Sequence, residues 1–180
     1  ITVNDHAPAP IHSFEGNITL DYNHSMTPIG DFEMKHDTVA LSEDHSCAIK
    51  DDGTVRCWGH NGHGGLGIGS FGGTYYWPQA TNSLGTGRVA IDISVGGSAG
   101  NSNYGHTCAL LDDGSVVCWG RNNKGQLGDN STTNRNSPTP TVPLPRPAVA
   151  IETGFDFTCA LLDNGSVICW GWGSQGRLGN

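Results

Sequence analysis

Charge is scarce in this chain, and basic charge is scarcest. Only 14% of the 180 residues are Asp, Glu, Lys or Arg; nine are Lys or Arg, and the formal net charge is −8. The nine basic residues are scattered, so the stripe needed to neutralise a phosphate backbone is missing and no nucleic acid is expected as a partner. Long apolar runs are also missing. None approaches the ~20 residues a membrane helix requires, so no membrane insertion is expected. No amphipathic helical period appears, which points away from bundles and α/β folds. There is no initiator Met and no secretory leader, so the expectation is a processed, cut or incomplete chain. What is abundant is glycine, 27 residues, and with it turns: the composition is that of an all-β protein.

The six cysteines carry the pattern. Cys47-Ala-Ile-Lys-Asp-Asp-Gly-Thr-Val-Arg-Cys57-Trp-Gly, Cys108-Ala-Leu-Leu-Asp-Asp-Gly-Ser-Val-Val-Cys118-Trp-Gly and Cys159-Ala-Leu-Leu-Asp-Asn-Gly-Ser-Val-Ile-Cys169-Trp-Gly are three copies of one unit. Each reads as two short strands around a three-residue turn that ends in glycine. With Asp112, Asp113 and Gly114 in the turn, Leu110 faces Val116, Ala109 faces Val117 and Cys108 faces Cys118. Counting from the turn, the cysteines fall on a non-hydrogen-bonded pair, where α-carbons lie ~4.5 Å apart and a disulfide fits. The predicted bridges are Cys47–Cys57, Cys108–Cys118 and Cys159–Cys169. Nine intervening residues on opposed strands do not suit a zinc knuckle. Disulfides in turn imply a compartment outside the cytosol, extracellular or at the cell surface.

The period of two divides each hairpin into two faces. Cys108, Leu110, Val116 and Cys118 share one, and Ala109, Leu111, Val117 and Trp119 the other. Both are apolar, so the hairpin should be covered on both sides, and the third copy matches it. In the first copy the second face reads Ala48, Lys50, Arg56 and Trp58, a polar face suited to the end of a stack. The opposite end, with Trp170 and Trp172, is expected to be open. Trp58-Gly-His-Asn-Gly-His-Gly-Gly-Leu-Gly, Trp119-Gly-Arg-Asn-Asn-Lys-Gly-Gln-Leu-Gly and Trp170-Gly-Trp-Gly-Ser-Gln-Gly-Arg-Leu-Gly also align without gaps. Upstream, Val89-Ala-Ile-Asp-Ile-Ser and Val149-Ala-Ile-Glu-Thr-Gly resemble one inner strand, with Thr38-Val-Ala-Leu-Ser as a weaker counterpart.

These segments, and Gly120–Gly128 most specifically, resemble the regulator of chromosome condensation repeat family over residues 38–180. The Cys…Cys-Trp-Gly form is similar to its secreted branch. The resemblance implies β-propeller-type blades of four strands, about 50 residues per copy. It also implies a ring of about seven blades, against three copies here, the last without an outer strand. The expected object is a fragment, an arc completed by other copies, or an open stack. The repeats are placed at about 38–87, 88–146 and 147–180. Residues 1–37 are expected to form an N-terminal arm or linker with one or two strands. Its start, Ile1-Thr-Val-Asn-Asp-His-Ala-Pro, resembles the end of an immunoglobulin- or cadherin-like surface domain.

Chemistry is hard to find. Gly62-His-Gly-Gly-Leu-Gly67 fits a nucleotide-loop pattern, but no helix follows and copy two fills the slot differently, so it reads as structural loop. His60 with His63 makes a poor metal site, and His45 and His106, in register, read as packing or turn hydrogen bonding. No cofactor and no metal are expected. The in-register Trp58, Trp119 and Trp170 read as packing. The off-pattern aromatics Tyr75, Tyr76 and Trp77, placed in a long loop Gly69–Gly87, together with Tyr104 and Trp172, read as a binding surface or as a plug over an exposed edge. Asn17, Asn23, Asn130 and Asn164 are glycosylation candidates. The expected function is a non-catalytic module that binds a protein, further copies of itself or a glycan. The alternative is an enzyme, or a secreted enzyme inhibitor of the kind the family resemblance includes, with a loop-built site on one face. A cavity holding close carboxylates or a His–carboxylate pair would favour that alternative.

Overall fold

The computed structural model describes residues 39–97 and 105–179. The expected arm, with Asn17 and Asn23, and Tyr104 lie outside them. The chain divides into two compact units, Ile1–Glu33 and Met34–Asn180, and every described residue belongs to the second.

Among the described residues, eleven strands form three antiparallel sheets. Blade 1 contains β1 (Val39–Leu41), β2 (His45–Ile49), β3 (Val55–His60) and β4 (Thr74–Ala80), hydrogen-bonded in that order. Blade 2 repeats it with β5 (Ala90–Gly96), β6 (His106–Leu111), β7 (Val116–Gly120) and β8 (Arg135–Pro140). Blade 3 has β9 (Ala148–Thr153), β10 (Phe157–Leu162) and β11 (Val167–Gly171), followed by a short 3₁₀ turn at Ser174–Gly176.

The central hairpins have the register that the turns impose. Cys108 opposes Cys118, Ala109 opposes Val117 and Leu110 opposes Val116. All three predicted disulfides are formed, each with its α-carbons 4.1 Å apart. The turn glycines Gly53, Gly114 and Gly165 have φ of 74°, 78° and 83°, which a side chain would disfavour. The second turn residue closes the loop from its side chain: Asp113 Oδ1 accepts from the amide and the hydroxyl of Ser115, and Asp52 and Asn164 do the same for Thr54 and Ser166.

One element corrects the sequence reading. Thr74–Ala80 is not part of a loop but the outer strand of blade 1, the counterpart of β8. Tyr-Tyr-Trp is good strand sequence, but the glycines at 69, 72 and 73 and Pro78 mask it. Proline is tolerated because β4 is an edge strand that bulges there.

The faces of the hairpins decide how the blades stack. The cysteine face of blade 1 (Cys47, Ile49, Val55, Cys57) forms one core with Ala109, Leu111, Val117 and Trp119 of blade 2. The cysteine face of blade 2 forms the next, with Ala148, Ile151, Ala160 and Leu162 of blade 3 and with Ile168 and Trp170 packed against it. The array is therefore directional: each tryptophan face looks back to the preceding blade. Trp170 belongs to the junction with blade 2, not to an open end. The apolar surface left open on blade 3 is its cysteine face, where Val167 is 61% exposed.

Candidate functional site

The polar groups of the described residues gather at the blade junctions, and there they hold the array together. His45 Nε2 meets Thr107 Oγ1 of the next blade at 2.8 Å, and Thr107 donates onward to the Gly65 carbonyl at 2.8 Å. One blade later His106 Nε2 meets Thr158 Oγ1 at 3.0 Å, and Thr158 donates to the Gln126 carbonyl at 2.9 Å. The same carbonyls accept the indole N–H groups of Trp119 and Trp170, at 2.8 and 2.9 Å. Burial holds both imidazoles neutral, with pKa values lowered to about 4 for His45 and about 3 for His106. The expected structural role of these histidines is what the geometry shows. Their threonine partners escaped the sequence reading, although Ser46, Thr107 and Thr158 stand in register before each first cysteine.

The loop after each tryptophan is fixed by a buried asparagine. Asn122 Oδ1 accepts from Leu127 N at 3.0 Å, while its amide donates to Asp129, Ser131 and Thr133. Asn61 does the same for Leu66 and Ser70. Gly173 takes this position in copy three. The glycine-rich segment Gly62–Gly67 is thus a packed connector with no helix after it, as expected.

Two gatherings of ionisable groups bear on the question of chemistry. Asp44, His45, His60 and His63 line a crevice of about 10 Å³, about the volume of one water probe and far below a substrate pocket. It contains a His–carboxylate pair but cannot admit a substrate. No group of three or more His, Cys, Asp or Glu among the described residues is placed to hold a metal ion. The second gathering lies where blade 2 meets blade 3. Arg121 Nη1 donates to Asp156 Oδ1 at 3.0 Å and Gln126 Nε2 donates to the same oxygen at 2.8 Å, all three side chains buried. Burial pushes the Asp156 carboxyl up, and Arg121, Lys124 and Arg177 oppose that. A carboxylate wrapped this way is a structural anchor with no access to a reacting group.

The predicted binding aromatics fall in two places. Tyr75 packs on the core of blade 1, whereas Tyr76 is 82% and Trp77 is 54% exposed on the same outer strand. Trp172, 36% exposed, sits by blade 3 with Arg177 stacked 4.5 Å from its ring centroid and Phe155 tilted against it at 6.4 Å. Trp172 and the Tyr76–Trp77 pair lie on different blades and form no joint site. Asn164 is exposed in its hairpin turn. Asn130 is exposed at a left-handed φ of 57°.

Two sequence profiles described as the regulator of chromosome condensation (RCC1) repeat match the chain, one over residues 113–161 and the other over 37–64, 91–126 and 148–177. The human probable E3 ubiquitin-protein ligase HERC3 is 36% identical over 143 residues, 79% of this chain but 13% of that protein. The fold of yeast RCC1 (Prp20) in its complex with Kap60 superposes with a TM-score of 0.66 at 21% identity, covering 78% of this chain and 33% of that one. Prp20p of Saccharomyces cerevisiae, solved in work on its binding to Gsp1p and histones, gives 0.62 at 25% identity, over 79% and 33%. The three repeats, their directional stacking and these matches agree: the chain belongs to the regulator of chromosome condensation repeat family.

Proposed function

We propose that this chain is a non-catalytic, protein-binding repeat module of an oxidising space, secreted or held at a cell surface. The observation that carries the binding reading is the division of labour among its side chains. The buried histidines, Arg121, Asp156 and Gln126 are spent on joining blades, while Tyr76 and Trp77 stand out from a rigid outer strand that needs neither for its core. Exposed aromatics on a rigid scaffold supply contact area at small entropic cost. Protein partners fit this family: the yeast relative is seen with Kap60 and is studied with Gsp1p and histones. The compartment rests on the three disulfides, which persist where thiols are not kept reduced. A glycan partner fits the same exposed rings, but no polar cluster beside them favours it over protein.

The test is site-directed photocrosslinking. A photoreactive phenylalanine at position 76 should capture a discrete protein from the native surroundings of the chain. The Trp77→Ser change should abolish that capture with the melting temperature shifted by less than ~2 °C, since an exposed side chain is removed. Capture unchanged by Trp77→Ser would overturn the reading.

A further inference from the structure

Asparagine followed by glycine can react with its own backbone, because the glycine amide has no Cβ beside it to obstruct attack on the carboxamide carbon. Two such pairs fall among the described residues, Asn61–Gly62 and Asn164–Gly165. Their surroundings are opposite. Asn61 is fully buried: its Oδ1 accepts from Leu66 N at 3.1 Å, its Nδ2 donates to the Ser70 carbonyl at 3.0 Å, and Gly62 N donates to His60 Nδ1 at 3.1 Å. Carboxamide and attacking amide are both held there. Asn164 is exposed at the tip of its hairpin. Its Oδ1 accepts from the amide and the hydroxyl of Ser166, at 3.1 and 2.7 Å, and its Nδ2 has no hydrogen-bond partner among the described residues. Gly165 N is held only by the turn bond to the Leu162 carbonyl, which a local opening of the tip releases.

The exposure belongs to the turn itself. In the first two turns the next blade lies against the glycine, Val89 at Gly53 and Pro147 at Gly114, yet Asp52 and Asp113 beside them are still exposed. Those two residues also show what the turn accommodates. Asp113 holds Ser115 through Oδ1 and presents Oδ2 to Arg88 at 3.1 Å, while Asp112 meets the same guanidinium at 3.6 Å. Blade 3 has the same frame: Asp163 N donates to the Pro147 carbonyl as Asp112 N does to that of Val89, and Arg146 pairs with Asp163. The one difference is that Asn164 offers an amide nitrogen where Asp113 offers an oxygen. That nitrogen is a donor beside a cation and has nothing to receive its protons. A carboxylate in its place would accept from Arg146 and strengthen the bonds from Ser166.

We propose that Asn164 is a self-modification site, deamidated through a cyclic imide, and that the turn selects aspartate over isoaspartate as the product. Gly165 N gives its proton to solvent and attacks Cγ. The N–Cγ bond forms, the Cγ–Nδ2 bond breaks, and Nδ2 leaves as ammonia with protons drawn from water. Water then opens the imide. Addition at Cγ breaks the new N–Cγ bond and restores the native main chain with aspartate at 164. Addition at the Asn164 main-chain carbonyl leaves isoaspartate, with an extra methylene in the main chain. The balance is a water consumed and an ammonia released, without oxidant or reductant. The lengthened main chain cannot keep Gly165 N on the Leu162 carbonyl and Ser166 on the side chain together, so isoaspartate closes back to the imide until aspartate collects. The third turn then matches the first two, and the formal net charge moves a unit beyond −8. A glycan on Nδ2 would remove the leaving group, so the reaction is that of the unglycosylated chain. It involves neither Tyr76 nor Trp77 and stands apart from the proposed function.

The test is incubation of the full, oxidised, unglycosylated chain in mildly alkaline buffer, followed by peptide mapping that separates asparagine, aspartate and isoaspartate. The reduced, alkylated chain in guanidinium is the reference, where both pairs convert and isoaspartate leads. In the folded chain Asn164 should convert at least ~10-fold faster than Asn61, whose reaction waits on a larger opening. Aspartate should exceed isoaspartate at position 164 by at least ~3-fold. The variant Asn164→Asp, which carries the product from the start, should melt ~1–3 °C above the parent chain. Asn164 left intact in the folded chain when the reference has converted, isoaspartate in excess there, or an Asn164→Asp variant that melts below the parent would overturn the inference.

Discussion

Acid should unfasten the blade junctions before it touches the rest of the molecule. The perturbation is protonation of the two imidazoles that the fold keeps neutral. His45 is held down to about 4 by burial, with Asp44 opposing and His60 adding; His106 is held to about 3 by burial, with His45 and Arg121 adding. In the unfolded chain each takes up a proton near the ordinary pKa of ~6.5. The unfolded state therefore binds more protons than the folded state below that pH, and stability falls as pH falls. The stabilisation is present in full above ~6.5, and its loss runs until about 4 for His45 and about 3 for His106. Each site contributes ~1.4 kcal/mol per pH unit within its window, so the two together give ~3 kcal/mol per unit between roughly pH 6 and 4.5. That amounts to a few kcal/mol, a large part of the ~5–15 kcal/mol that holds a small domain folded. The carboxylates act later. Asp52 and Asp113, held down by the hydroxyls of Thr54 and Ser115, lose their contributions only below the ordinary carboxylate range, and Asp156, pushed up by burial, changes in the opposite sense. Urea unfolding of the oxidised chain at pH 7, 6, 5 and 4.5 measures the slope, and His45→Gln should reduce it by about half. A flat stability between pH 7 and 5, or the C2 protons of His45 and His106 titrating near 6.5 in the folded chain, would refute the reasoning.

Thr158→Val should cost ~1–2 kcal/mol in urea unfolding, because it strips the buried His106 Nε2 of its partner, while the Gln126 carbonyl keeps the Trp170 indole as donor; a loss under ~0.5 kcal/mol would mean that the latch carries no energy. Gly128→Ala places a Cβ 2.7 Å from Trp170 Nε1 at a φ of 68°, and should cost ~2–3 kcal/mol and change the near-ultraviolet dichroism of the tryptophans. Gly165→Ala, with nothing within 4 Å of its Cβ, should cost about 1 kcal/mol through backbone strain alone.

The hairpins were legible because their determinants are local. A turn that needs a left-handed glycine fixes the register, the register opposes the cysteines, and the period of two then assigns both faces without knowledge of the neighbours. The junction chemistry was only half legible. His45 and His106 stand in register, but the hydroxyls that meet them lie 62 and 52 residues further on, and one sequence does not say which face meets which. The outer strand of blade 1 was misread because an edge strand with a bulge and a proline lacks the regular alternation that marks a strand. Reading it against Arg135–Pro140, where Asn-Ser-Pro holds the place of Tyr-Trp-Pro, would have found it. The exposed pair Tyr76–Trp77 stood out because it has no counterpart in the other copies, and that signal did not separate it from Tyr75, which packs on the core of blade 1.

The directional stacking also bears on self-association. A second copy joining head to tail would bring the tryptophan face of its blade 1 onto the cysteine face of blade 3. The interior junctions show what such a contact requires: an imidazole on the earlier blade, a hydroxyl on the later one, and apolar side chains around them. The open face of blade 3 offers Phe157 where His45 and His106 stand, so Ser46 of an incoming blade 1 would find no ring nitrogen. Around it, Lys50 and Arg56 would come to rest where Leu111 and Val117 lie in blade 2, against Leu161 and Val167, neither of which can accept a hydrogen bond. Lys50 has Asp52 beside it at 3.6 Å, but burying the Arg56 guanidinium without a partner costs several kcal/mol, more than the few kcal/mol released by covering the two aliphatic side chains. The open face of blade 3 is therefore shaped for a surface like that of blade 2, apolar and bearing an indole, and blade 1 does not provide one.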